Sequence, residues 1–299
     1  MKTNLNRRSI LAGALGAPFL AGLAPGAHAE EYSGLTDLDL TDDEMLHYFV
    51  KLRSSLDDRV TMGWVDAVNY AFIDGVTHPM YRLLSTTIRQ MRKVNDSLYK
   101  SVSLEVAMYM DINTGELLDK LTMPVTGNVV DVPLYRAGPS HMDMTIRAED
   151  TNEFTMQQET VDGESFFATG QVESQRFISL PQLRGDDFYI RQDISARVFP
   201  AGESRPSFFY REWTINQGSW AALSDPSAVS VPVDVAYIAN TAFRPWMQMG
   251  DTPGHTVQNG RGGKAETPEG LPVELLRLVK LHHPDLIEDP RGVLAGEAA

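Results

Sequence analysis

The chain predicts a mainly β protein: an antiparallel meander closing into a barrel or strongly curved sheet, with an N-terminal and a C-terminal helix. Three observations carry that prediction. Apolar and polar residues alternate with period two through run after run of the chain, turn residues separate the runs at close spacing, and a helical stripe shows at each end of the mature sequence. With 42% hydrophobic positions in 299 residues, the chain has material for one β-rich domain over 30–299.

The first 29 residues stand apart from that domain. Paired Arg7 and Arg8, followed by Ser9, Ile10 and Leu11, precede a short Gly-rich apolar stretch and the small-x-small site Ala27-His28-Ala29. The arrangement resembles the twin-arginine signal of bacteria, which makes the twin-arginine export machinery an expected partner and the mature protein, from Glu30, periplasmic or secreted. No other stretch reaches the roughly 18 apolar residues of a membrane span, so no stable span is expected after processing.

In chain order, "LTDDEMLHYFVKLRSSL" places Leu46, Phe49, Val50 and Leu56 on one helical stripe behind a possible N-cap, Thr41, and predicts a helix over 41–57. "SVSLEVAMYM" alternates Val102, Leu104, Val106, Met108 and Met110 against Ser101, Ser103, Glu105, Ala107 and Tyr109, the pattern of a half-buried strand. "DINTGE" reverses the chain into "LLDKLTM", and "VTGN" turns it again into "VVDVPLYR". Further strands are predicted in "HMDMTIRA", "ESFFATGQVES", "FYIRQDISARVF", "SFFYREWTI" and "VPVDVAYIA". Residues 244–272, rich in Gly and Pro, read as neither strand nor helix. Then "LPVELLRLVKLHHPDLI" sets Leu271, Leu275, Leu278, Val279 and His282 on one stripe, a closing helix over 271–282 that Pro284 ends, before a frayed tail.

"EVAMYMDINTGELLDKLTMPVTGNVVDV", together with "PWMQMGDTPG", the "LP" helix and "HHPDL", resembles the bacterial and fungal family catalogued as domain of unknown function 1838 over roughly residues 45–290. The resemblance is most specific at Pro245 to Asp251 with Pro253 and Gly254. It implies a single β-rich domain and brings no established activity or catalytic residues.

Composition excludes several function classes. Beyond residue 29 the chain carries 23 basic against 40 acidic groups, which repels phosphate backbones and anionic lipid, so no nucleic-acid partner is expected. There is no cysteine, hence no disulfide, thiolate metal site or Cys nucleophile. No Gly-x-Ser-x-Gly elbow, Walker loop, dinucleotide glycine fingerprint or His-Glu-x-x-His helix occurs, and "GRGGK" at 260–264 lacks P-loop spacing.

Candidate chemistry falls into three groups. In "RPWMQMGDTPGH", Trp246, Met247 and Met249 offer apolar, adjustable surface, with Arg244, Asp251 and His255 as polar anchors. The same residues can instead plug one end of a barrel, and Met247, Met249 and His255 are also a conceivable copper set. On the strands, either Phe209, Arg211, Trp213 and Ile215 or Phe208, Tyr210, Glu212 and Thr214 face inward. Arg191 and Asp193 share a face, Arg176 lies nearby, and Glu159, Glu173 and Glu212 are possible carboxylate partners. Among the histidines, His255 and His141 are the general-base candidates.

The resulting expectation is a small organic ligand held in the interior. Catalytic roles fall to His255, Asp251 and Arg211, and ligand contacts to Arg244, Trp246, Met247, Met249, Arg191 and His141, with no metal and no cofactor. The reaction would be that of a cofactor-independent lyase, isomerase or hydrolase; the alternatives are a non-catalytic carrier or a copper-binding protein.

Overall fold

The computed structural model describes residues 34–160, 165–201 and 207–296. The segment read as an export signal, with Arg7 and Arg8, and the side chain of Glu159 lie outside what is described. The chain divides into Met1–Gly34 and a unit over Leu35–Ala299 that holds all the regular structure below.

In order the elements are β1 (Thr36–Asp37), α1 (Asp42–Arg53), β2 (Thr61–Ile73), β3 (Val76–Asn95), β4 (Leu98–Met110), β5 (Lys120–Thr122), β6 (Val129–Asp131), β7 (Pro133–Met144), β8 (Arg147–Thr160), β9 (Ser165–Arg184), β10 (Asp187–Pro200) and β11 (Phe208–Ser219). They continue with α2 (Trp220–Ser224), β12 (Asp234–Thr241), a 3-10 turn at Pro245–Met247, β13 (His255–Ala265), α3 (Val273–His282), α4 (Asp285–Glu288) and α5 (Pro290–Ala295). Each long strand pairs antiparallel with the next, β8 with β9 included, and β13 returns to pair with β2. The predicted meander therefore closes into an up-and-down barrel, with β1 added against the Gln182–Leu183 end of β9 and β5–β6 standing aside as a small hairpin. An even ring of antiparallel strands leaves no edge to aggregate through.

Local chemistry explains the turns and the first helix. Asp74 and Gly75 both take positive φ, 50° and 80°, as the two-residue connection from β2 to β3 requires. Thr41 caps α1 as expected, accepting from the Glu44 amide at 3.3 Å while the Glu44 carboxylate accepts from the Thr41 amide at 2.9 Å. Leu46, Phe49, Val50 and Leu52 then bury against Met91, Tyr99, Met144, Phe188 and Leu223, so α1 stoppers one end of the barrel. Two buried lysines pin it there. Lys264 donates to the carbonyls of Lys51 (2.6 Å) and Ser54 (2.8 Å), and Lys51 donates to those of Leu223 (2.8 Å) and Asp225 (2.9 Å). Burial lowers Lys264 to about 8.

The strand alternation holds, and the structure decides which face is inside. Leu104, Val106, Met108 and Met110 point outward, where α3, α4 and α5 cover them through Leu275, Leu278, Val279, Leu286, Val293 and Leu294. Ser103, Glu105, Ala107 and Tyr109 face the lumen. Amphipathic periodicity marks the side that packs, and here the packing partner is a helical layer on the outside.

Two expectations need correction, and one region of the wall had not been read. Residues 255–265 form β13 despite Gly260, Gly262 and Gly263, because the strand is hydrogen-bonded on both sides and its glycines let β2 come close. The tail is not frayed over 290–295, where α5 buries Val293 and Leu294. Residues 61–95, not singled out in the sequence, supply β2 and β3, two of the longest-paired strands of the wall. Among the described residues no helix is long and apolar enough to cross a membrane.

Candidate functional site

The barrel encloses a cavity of about 380 Å³, within the range of small-molecule sites. α1 supplies its floor through Phe49 and Arg53. Side chains one strand apart in register line the wall: Arg89 on β3 lies across from Ser103 on β4, with Glu105 two residues further along. On β11 the inward set is Phe208, Tyr210, Glu212 and Thr214, which settles the choice of faces left open by the sequence.

The opposite end is packed by the segment that drew attention in the sequence. Met247 and Met249 are buried with Tyr81, Met123, Val130 and Val132, and Trp246 packs beside Tyr81 and Tyr109 at ring separations of 6.2 and 5.6 Å. The 3-10 turn and the β5–β6 hairpin together form this apolar mass. Gln248 and Gly250, at φ 49° and 54°, reverse the chain out of it.

Electrostatics set the character of the lumen. Arg53, Arg89 and Arg244 all line it, and none forms an ion pair with a described residue. Arg53 instead donates to the Asn216 side chain at 3.4 Å, Arg89 donates to the Arg53 carbonyl at 3.5 Å and keeps a buried Nε without a partner, and Arg244 lies 5.1 Å from the centre of the Phe208 ring. Burial first, then the neighbouring Arg53 charge, lowers Arg89 to about 9. Arg176, also in the lining, pairs with the Asp150 carboxylate and donates to the Asp143 carbonyl, while its buried Nε, like that of Arg89, has no partner among the described residues.

Two carboxylates face these cations. Burial, reinforced by Glu212, pushes Glu105 up to about 7 against the pull of Arg244 and Arg89. Glu212 accepts from the Tyr210 hydroxyl, which lies 3.4 Å from that of Tyr237, and Tyr237 donates to Gln258 at 2.9 Å. Burial raises Tyr210 and Tyr237, so both stay protonated as hydrogen-bond donors. The arrangement combines guanidiniums without ion pairs, a carboxyl group pushed up to about 7 and hydrogen-bonded phenols, a set of groups chemically able to hold an anion and exchange a proton with it.

Of the nine residues given catalytic or ligand-contact roles from the sequence, Arg244 alone lines this cavity. Arg211 is on the outer face, stacked 5.0 Å from Trp213. Arg191 sits on the same outer side, paired with Asp193 at 2.8 Å. His141 and Asp251 are exposed. His255 rests on the outside between Phe72 and Phe209, at 5.2 and 6.4 Å, so the wall separates it from Met247 and Met249. Glu173 is exposed, whereas Glu212 and Arg176 face inward. The residues missed were Arg53, Arg89, Glu105 and the tyrosines at 109, 135 and 237. A usable signal was there: Ser101, Ser103 and Glu105 form the polar side of a strand whose other side is wholly apolar.

Comparison with known families finds that residues 196–298 match the model of a family described as a protein of unknown function, DUF1838. The chain thus resembles that family from β10 through the C-terminal helices, a shorter stretch than the residue 45–290 resemblance suggested. No curated protein matches the chain.

Proposed function

We propose that this is an exported barrel protein that binds a small organic anion in its lumen, with Glu105 exchanging a proton with the bound molecule. The observation that carries the reading is the trio Arg53, Arg89 and Arg244, held in one cavity without a direct ion pair to any described carboxylate. A buried guanidinium costs desolvation energy that an anion offsets, and a bidentate carboxylate or phosphate suits its geometry. Arg244 is the anchor retained from the signature segment, and Trp246, Met247 and Met249 hold that segment in place.

Thermal unfolding against a panel of small carboxylates and phosphates tests the binding. At least one should raise the melting temperature of the wild type and lose that effect in Arg89→Met and Arg244→Met. Stabilisation by neutral compounds alone would overturn the reading. With a binding compound in hand, Glu105→Gln should retain affinity and lose turnover, and a turnover-free wild type leaves carriage as the function.

Glu105 also predicts a pH dependence of stability. Folded, it keeps its proton to about 7, whereas unfolded it releases it near the ordinary 4.5. The folded state therefore binds more protons between those values, so stability falls as pH rises from about 4.5 to about 7 and then levels off. Glu105→Gln should remove that part of the slope in urea titrations.

The export part of the proposal rests on Arg7-Arg8 and the Ala27-His28-Ala29 site. Arg7→Lys with Arg8→Lys should leave uncleaved precursor in the cytoplasm, and undiminished mature protein outside it would refute that route.

A further inference from the structure

The inward face of β11 serves as a ruler along the cavity. Arg244 lies over Phe208 at one end, Glu212 comes four residues later, and Asn216, which holds Arg53, four after that. At about 3.3 Å per residue the two marks stand roughly 26 Å apart along the strand, and the arginines reach in from both ends. β3 and β4 repeat the order, since Arg89 sits toward the α1 end and Glu105 further along. Arg176, level with Glu212 through Ile194, is held by Asp150, and Glu153 is exposed; the remaining charges are layered, with two guanidiniums at the floor, two carboxylates in the middle, and one guanidinium at the far end among Tyr109, Tyr135 and Tyr210.

That layering selects a ligand shape. Arg53 and Arg89 are neighbours of like charge with no direct ion pair to a described carboxylate, Glu212 and Glu105 acting on them only from a distance, an arrangement that an anion between them relieves. An anion at mid-cavity would meet Glu105 and Glu212 instead. We propose that the lumen takes an elongated organic dianion, one anionic end against Arg53 and Arg89 and the other against Arg244, with an uncharged, hydroxyl- or C–H-acidic middle beside Glu105 and Glu212. The inference rests on the lumen being a small-anion site and adds that the site has two ends.

Titration calorimetry on the full chain with rigid probes tests it: benzoate, terephthalate, biphenyl dicarboxylate and the monomethyl ester of each diacid. At least one diacid should bind the wild type tenfold or more tighter than its own half-ester. Arg244→Met and Arg89→Met should each erase that difference, and Arg244→Lys and Arg89→Lys, which keep the charge, should restore part of it while guarding against a folding defect. Equal affinity of diacid and half-ester, with benzoate binding as well, would sink the two-ended site and leave the small-anion reading intact. Failure of every probe and of inorganic phosphate to bind would overturn both.

Discussion

Phe49→Ala is expected to destabilise the protein by about 3–5 kcal/mol, the usual cost of deleting a fully buried aromatic ring. Phe49 is 1% exposed, packs in the cluster that seats α1, and also lines the cavity floor. Its loss should therefore register twice, as a lowered unfolding midpoint in urea and as weakened anion binding above Arg53. A loss below about 1 kcal/mol would mean that the floor collapses to fill the gap and that α1 is not held by its apolar face. Lys51 bonds to the Leu223 and Asp225 carbonyls, and Lys264 to the Lys51 and Ser54 carbonyls, the Ser230 hydroxyl and Glu266; none of these contacts involves the Phe49 ring, so they are the same in the variant and the wild type.

Gly260→Ala should be nearly as damaging, although it adds a single methyl group. A Cβ there would lie 2.2 Å from the Asp66 carbonyl oxygen and 2.5 Å from the Ala67 Cα, both backbone atoms of β2. No flexible side chain can give way, so the seam that closes the barrel must shift, at a cost of about 3 kcal/mol. Gly63→Ala, on the facing strand, is the matched control, because its new Cβ meets nothing nearer than 3.9 Å. Thermal unfolding should show a large drop for the first and little change or a slight gain for the second. Equal effects would show that the cost is one of strand propensity, with no close approach at Gly260.

These two sites also show how far the sequence could be read. Phe49 sits on a stripe with Leu46 and Val50 behind a Thr-x-x-Glu cap, so its burial followed from spacing alone. Gly260 stands in a run that reads as loop by composition, because glycine's lack of a side chain lowers strand propensity whatever the backbone does. Only its pairing with β2 and β12 reveals that the missing Cβ is the reason the strand fits.

The candidate site was legible in part for a similar reason. A side chain's period shows which residues share a face, and so grouped Ser103, Glu105 and Tyr109, and likewise Phe208, Tyr210 and Glu212. It does not show which face is inside. In an ordinary barrel the apolar set fills the interior, and the sequence left open whether Phe209, Arg211 and Trp213 or Phe208, Tyr210 and Glu212 face it. Here α3 to α5 bury the apolar side of β3 and β4 from without, which frees the polar side to line the lumen.

By itself the sequence determined the antiparallel meander, the capped first helix, the closing amphipathic helix and the acidic, cysteine-free chemistry of the chain, since each depends on residues within a few positions of one another. The tertiary structure alone decided that Arg53, Arg89, Glu105, Glu212 and Arg244 meet. They come from α1, β3, β4, β11 and the segment after β12, up to 191 positions apart. Nothing local links them, and only the closing of β13 onto β2 brings their side chains into one lumen.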